Sequence, residues 1–182
     1  EKSVCRNDLV DYLDEIDIET LRSWQPINEI FAKAKDLFMF QCYTGFAFAD
    51  MQNFDIAKYK EINGRWIARK TRIKTGVPFV NVLLSPAVEI LKRYDWKIPK
   101  VSISWYDIQL ARMGKLIGLD IRLRSHVARH TFATMMLRNG VKIENLARML
   151  GHTNITQTQR YAKVLAVSVQ EEFEMIEKKM FN

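Results

Sequence analysis

All three histidines of the chain stand in one short stretch, and a tyrosine follows them. His126, Arg129 and His130 open the segment SHVARHTFATMMLRNG at spacing i, i+3, i+4, so on a helix their side chains share one face. His152 comes downstream in Leu150-Gly151-His152, and Tyr161 lies beyond it. This pattern admits three readings. Histidines at i, i+4 suit a helix-borne metal site, with His152 as third ligand. Position 127 is valine, however, not the glutamate of a zinc protease, and Arg129 sets a permanent cation between the two imidazoles. No metal is therefore expected. In the second reading the histidines cap and brace a helical core. The third is a phosphate site. Arg129 would clamp the phosphate with its planar fork, while His126 and His152 bond the non-bridging oxygens. Charge grows on those oxygens in a phosphoryl transition state, so donors placed there stabilise it more than the ground state. Tyr161 could then attack phosphorus to form a phosphotyrosyl link, and Lys74 in RIKTGVP could protonate the departing sugar oxygen.

These residues need elements to hold them. Ser125 can cap a helix and Gly140 can end it, with Phe132, Met136 and Leu137 on its buried stripe. Upstream, residues 1–24 read as a lead-in from a preceding domain plus a short acidic helix. Pro26 suits the first turn of a longer core helix running to about Tyr43, with Ile27, Ile30, Phe31, Ala34, Leu37 and Phe38 at helical spacing. In TGFAFADM the glycine can close one helix and the threonine open another. Residues 57–84 change character: AKYKEI, Asn63-Gly64, RWIARKT and VPFVNVLL predict a small antiparallel sheet with a tight hairpin, Pro78 marking an edge. Ser85-Pro86 starts a helix through AVEILKRYD; SWYDIQLARMGKLIGL and VKIENLARMLG form two more, the latter stopped by Gly151. The end, 164–182, is an amphipathic helix with Val164, Val167, Phe173 and Ile176 as docking residues. The expected fold is mainly α with a small antiparallel β-sheet (α+β), its core spanning 25–163.

Composition narrows the function classes. In 182 residues, 48% hydrophobic and 11% aromatic content is enough for a packed core and excludes a disordered chain. Lysine and arginine outnumber aspartate and glutamate 28 to 21, a formal charge of +7 that suggests a polyanionic partner such as nucleic acid. The excess concentrates in 58–74, KYKEINGRWIARKTRIK, whereas residues 1–20 are acidic. Cys5 and Cys42 fit a reducing compartment and form neither a disulfide framework nor a zinc motif. No apolar run reaches membrane-spanning length, so no membrane partner is expected.

From about residue 13 to 165 the chain resembles the tyrosine recombinase (integrase) family. The resemblance rests on Thr44-Gly45 before Asp50, Lys74-Thr75-Gly76, His126-x-x-Arg129-His130-x-Phe132-Ala133-Thr134, Leu150-Gly151-His152 and Tyr161-Ala162-Lys163-Val164, in that order. It implies the recombinase catalytic-domain fold and DNA strand cleavage and rejoining through a 3′-phosphotyrosyl intermediate, without cofactor. It implies Tyr161 as nucleophile, Arg129 as second catalytic arginine, His126 as the histidine assisting the tyrosine as base or acid, His152 as the histidine-or-tryptophan position and Lys74 as general acid. His130 would orient, and Asp50 would brace the site. Double-stranded DNA carrying crossover and attachment sites is the implied partner. A tetramer on DNA, linked by the 164–182 helix, accessory DNA-bending proteins and a bacterial cytoplasmic, nucleoid-associated location follow from the same likeness.

One position departs from the pattern. Where the family has its first catalytic arginine, this chain has Ala47, which cannot donate to a phosphate. Losing one guanidinium costs several kcal/mol of transition-state stabilisation, on the order of 3. The segment YTGFAFADM resembles integrases of Bacteroides-type mobile elements, some of which lack that arginine. A substitute donor is expected from the hairpin, with Arg72, Arg69 and Arg65 in order of proximity to Lys74. Ala47 also motivates a rival, a DNA-binding module with this fold and an inactive site. A type IB topoisomerase-like nicking enzyme is the other.

Overall fold

The computed structural model describes residues 10–71, 78–152 and 154–163, together with 173, 176, 177 and 180. Its elements are α1 (Glu15–Ser23), α2 (Glu29–Thr44), α3 (Phe48–Gln52), β1 (Lys60–Ile62), β2 (Arg65–Thr71), β3 (Pro78–Val82), α4 (Ser85–Arg93), α5 (Ile103–Ile117), α6 (Ser125–Arg138) and α7 (Ile143–Leu150). Residues 156–163 are helical again. A mainly helical body with one small sheet is the architecture expected.

Helix α2 is the axis of the body, packing against α4, α5 and α6. Its last eight residues, 37–44, are all buried, and Leu37, Phe38 and Phe40 have no exposed surface. Each such side chain contributes about 1.5–3 kcal/mol on burial. The helix begins later than Pro26 suggests. Asn28 is the true cap, its Oδ1 accepting from Phe31 N at 2.9 Å, so Pro26 precedes the helix and Ile27 and Ile30 are exposed instead of core.

The sheet runs in the order β1-β2-β3, antiparallel throughout, with Asn63-Gly64 turning between Ile62 and Arg65. Asn63 and Gly64 have φ of 51° and 72°, the left-handed pair a tight hairpin needs. Pro78 opens the edge strand β3, where its missing N–H leaves no gap in a central ladder. The first predicted strand is shorter than AKYKEI: Ile56–Lys58 is a 3₁₀ turn capped by Asp55, and pairing starts at Lys60. Ala68 and its partner Asn81 are both buried, which seats that side of the sheet on the helical body.

Two helix starts also differ from expectation. Ser85 is the first residue of α4, with no side-chain cap bond. Ser125 is the first residue of α6, and its backbone N–H is satisfied by Asp107 Oδ1 at 2.8 Å from α5. The Ser125 hydroxyl is thereby released for a buried polar junction described below. Thr44 likewise ends α2, and α3 begins after Ala47. Of the predicted 164–182 helix, Phe173, Ile176, Glu177 and Met180 are helical and exposed, whereas Val164 and Val167 lie outside the described residues.

Candidate active site

Arg129 projects from the middle of α6 between the ends of two other helices. Its Nη1 donates to Gly45 O at 2.8 Å and its Nη2 to Leu150 O at 2.7 Å. Gly45 caps α2 and Leu150 is the last residue of α7, so the guanidinium satisfies two carbonyls that no helical N–H reaches. Both helix C-termini carry partial negative charge, which stabilises a half-buried cation. The caps that aim these carbonyls are glycines in the left-handed region, Gly45 at φ 69° and Gly151 at φ 61°. Gly45 has a second reason to be glycine: a Cβ there would meet Phe132 Cδ1 at 2.5 Å.

Buried polar groups brace this loop from behind. Gln41, fully buried on α2, donates to Phe46 O at 2.9 Å and accepts from Tyr106 Oη at 2.9 Å, with the Ser125 hydroxyl also within bonding distance. One amide thus ties α2, α5, the start of α6 and the 45–47 loop together. Asn81 does the same from the sheet, donating to Thr44 O at 3.0 Å and accepting from Tyr59 Oη at 2.8 Å. Phe46 adds packing, its ring 6.0 Å from Phe40 and 6.4 Å from Phe54.

Tyr161, on the helical segment 156–163, is only 3% exposed and packs with Phe132, Ala133, Leu146 and Leu150. Burial raises its phenol above the ordinary tyrosine value, and Arg129 and Arg160 pull it part of the way back. The phenol is therefore protonated at neutral pH. Its ring neighbours two imidazoles, 5.6 Å from His130 and 6.5 Å from His152, the latter nearly parallel at 10°. His152 is oriented by the buried Thr158, Nδ1 to Oγ1 at 2.8 Å. His126 is exposed at the first turn of α6, its ring 5.4 Å from that of His130. Burial lowers His130 from 6.5 to about 4, a bond to Asp11 O opposes this, and His126, Arg160 and Arg129 add to the fall.

The structure thus brings His126, Arg129, His130, His152 and Tyr161 together. Asp50 is half-buried in α3, just beyond the Gly45 loop. Ala47, the N-cap of α3, makes no side-chain cap bond there. Lys74 and Arg72 lie outside the described residues. Arg69 pairs with Val80 in the ladder, and its side chain is outside the described set as well. Arg65 is exposed at the hairpin turn, opposite Ile62. Four contributors were not singled out from sequence: Gln41, Asn81, Thr158 and Arg160. The first two had a visible signal, a lone amide inside an apolar run, and Arg160 is a base directly before the tyrosine.

Among the described residues no group of three His, Cys, Asp or Glu is placed to hold a metal ion. No described helix is long and apolar enough to cross a membrane. A cavity of about 760 Å³ lies elsewhere, lined from α1, α2 and α4 by residues including Arg22, Lys35, Asp36 and Arg93. Its charges serve the fold: Lys35 donates to Arg22 O and Trp24 O, and Arg93 pairs with Asp36 at 2.7 Å.

The family model of the phage integrase family matches residues 11–167. The chain belongs to this family. Curated relatives include the tyrosine recombinase XerA of Thermococcus onnurineus, 44% identical over 73 residues, which is 40% of this chain and 24% of the relative. XerA of Saccharolobus solfataricus is 40% identical over 65 residues, 36% of this chain and 22% of the relative. The chain thus matches about a quarter of the length of these integrase-family relatives. Among solved structures, a XerA recombinase has TM-score 0.69 at 20% identity, covering 94% of this chain and 66% of that one. A XerH recombinase in a post-cleavage complex with palindromic difH has TM-score 0.71 at 17% identity, covering 92% and 53%. The catalytic domain of bacteriophage HP1 integrase has TM-score 0.56 at 21% identity, covering 85% and 88%. At these identities the structures establish the integrase catalytic fold.

Proposed function

We propose that this chain is the catalytic domain of a site-specific DNA recombinase that cuts and rejoins strands through a phosphotyrosyl link at Tyr161. The observation that carries the reading is the convergence of a buried tyrosine, two flanking imidazoles and a guanidinium held by two helix ends. Arg129 binds the scissile phosphate, where a bidentate guanidinium matches two non-bridging oxygens. His126 and His152 donate to the same oxygens as they gain charge. Lys74 protonates the departing 5′ oxygen, and Asp50 braces the loop at α3. Rejoining reverses the step, so each exchange conserves bond energy and calls for no cofactor. Basic residues of 58–74 contact DNA phosphates and make binding fall with salt. An arginine of the hairpin, Arg72, Arg69 or Arg65, takes the place of the guanidinium missing at Ala47. On DNA the 164–182 segment docks on a neighbouring protomer of a tetramer; the exposed Phe173, Ile176 and Met180 are the described residues that support this. Integration or excision of a mobile element in a bacterial cytoplasm is the setting that fits.

The test is covalent trapping. A duplex selected by the protein from a randomised pool is synthesised with a nick walked across its centre, so that a released fragment diffuses away. Wild type yields a DNA-linked species on a denaturing gel, and Tyr161→Phe yields none. An adduct that survives Tyr161→Phe refutes the assignment. Clear binding without any adduct favours the second reading, an inactive DNA-binding module, for which Ala47 is the specific observation.

A further inference from the structure

The family pattern gives the proton-handling role to His126, but the imidazole in contact with Tyr161 on α6 is that of His130. Asp11 O lies 3.0 Å from His130 Nδ1. A carbonyl only accepts, so Nδ1 carries the hydrogen of that bond, and in a neutral imidazole Nε2 is then a bare acceptor. No hydrogen bond occupies Nε2 among the described residues. The lead-in segment grips α6 at two successive residues, since Leu13 N also donates to Thr131 Oγ1 at 2.9 Å. The tautomer is therefore fixed by a backbone carbonyl of a segment that the buried Leu13 anchors on α6. A protonated, buried phenol needs such an acceptor, because its oxygen attacks phosphorus only as its proton departs.

We propose that His130, held as its Nδ1–H tautomer by the Asp11 carbonyl, takes the Tyr161 proton during strand cleavage. The inference rests on the strand-cleavage reading above. As the Tyr161 oxygen bonds to phosphorus, its proton passes to His130 Nε2. The bond from phosphorus to the 5′ oxygen breaks, and that oxygen is protonated by Lys74. Rejoining returns both protons. The titratable and charged groups facing His130 are His126 and Arg129 on its own helix and Arg160 on the 156–163 segment. All three oppose an imidazolium in the free protein. The phosphate diester of bound DNA brings a negative charge among them and offsets that repulsion, so the acceptor is poised when substrate is present.

Single-turnover cleavage across a pH series tests this on two nicked duplexes, one ordinary and one with sulfur at the bridging 5′ position. A thiolate leaves without a proton, so the second duplex isolates activation of the tyrosine. His130→Asn keeps an N–H for the Asp11 bond and deletes the Nε2 acceptor. His130→Gln reaches the Nε2 position with an amide that takes no proton. Both are expected to bind DNA and melt as wild type does, yet cleave either duplex about 100-fold more slowly. Their rates should rise about tenfold per pH unit as solvent takes over the deprotonation, whereas wild type stays level from about pH 6 to about pH 9. Lys74→Ala, by contrast, should recover on the sulfur duplex. Near-normal, pH-independent cleavage by the His130 variants overturns the proposal, and so does their rescue by sulfur. Absence of any wild-type adduct overturns the strand-cleavage reading itself, which is a separate result.

Discussion

Gly45→Ala tests whether the Arg129 clamp depends on the geometry of a single glycine. The residue sits at φ 69°, where a Cβ costs about 1–2 kcal/mol. Its new methyl would stand 2.5 Å from Phe132 Cδ1, 2.7 Å from Cε1 and 3.1 Å from Cγ. Phe132 is 5% exposed, so its ring has no open space to enter, and overpacking of this kind costs about 1–3 kcal/mol. Together the variant should lose about 2–5 kcal/mol of unfolding free energy, read from urea titration as a shift in midpoint at constant slope. The displaced backbone also carries the carbonyl that holds Arg129 Nη1, so trapping on nicked DNA should slow by about 100-fold. Adding Phe132→Leu should return part of the stability by removing the ring, while the left-handed cost remains. A Gly45→Ala protein within about 0.5 kcal/mol of wild type would refute the argument. A Phe132→Leu change that merely adds its own loss would refute the close approach in particular.

Asn81→Ala strips partners from Tyr59 Oη and Thr44 O in a buried setting and should cost about 2–4 kcal/mol in urea unfolding. Gln41→Leu leaves Tyr106 Oη, the Ser125 hydroxyl and Phe46 O without their shared amide; it should destabilise by a similar ~2–4 kcal/mol and reduce adduct formation in parallel. His130 is held near 4 when folded against 6.5 ordinarily, so the unfolded chain binds the extra proton between those values. Its contribution is present above pH 6.5 and lost as pH falls towards 4, making the protein at most ~2 kcal/mol less stable at about pH 5 than at pH 7. His130→Asn should remove that part of the slope, which urea titration at the two pH values measures.

The helix-borne part of the site was legible because helical spacing is local. His126, Arg129 and His130 share a face as their i, i+3, i+4 positions require, and Gly45 and Gly151 cap helices as their types predict. The hairpin turn at Asn63-Gly64 was legible for the same reason. What the sequence did not disclose is long-range. Ser125 has the type of a cap, yet Asp107 supplies the bond to its N–H from another helix, and its hydroxyl turns to Gln41. Pro26 has the type of a first-turn residue, yet Asn28 wins because its side chain reaches Phe31 N. That His130 contacts Tyr161, and that a backbone carbonyl of the lead-in fixes its tautomer, depends on residues far apart in sequence. No periodicity encodes such a meeting.

The position of the cavity beside α1, α2 and α4 bears on what the protein acts on. Small-molecule enzymes enclose most of their ligand, so the chemistry usually lies in the deepest cleft. Here the cleft of about 760 Å³ is lined by α1, α2 and α4, and none of His126, Arg129, His152 or Tyr161 lines it. The catalytic candidates instead surround a buried tyrosine beside an exposed imidazole. Such a site works if the substrate brings its own bulk and excludes water itself. A duplex laid across the exposed N-terminal turn of α6 would do so, closing over Arg129 and the histidines as it binds. The low dielectric that strengthens phosphate contacts would then exist only in the complex. That arrangement would also account for the resting guanidinium being bonded to two helix ends. With no phosphate bound, a half-buried cation needs the carbonyls of Gly45 and Leu150 to hold its charge and its plane.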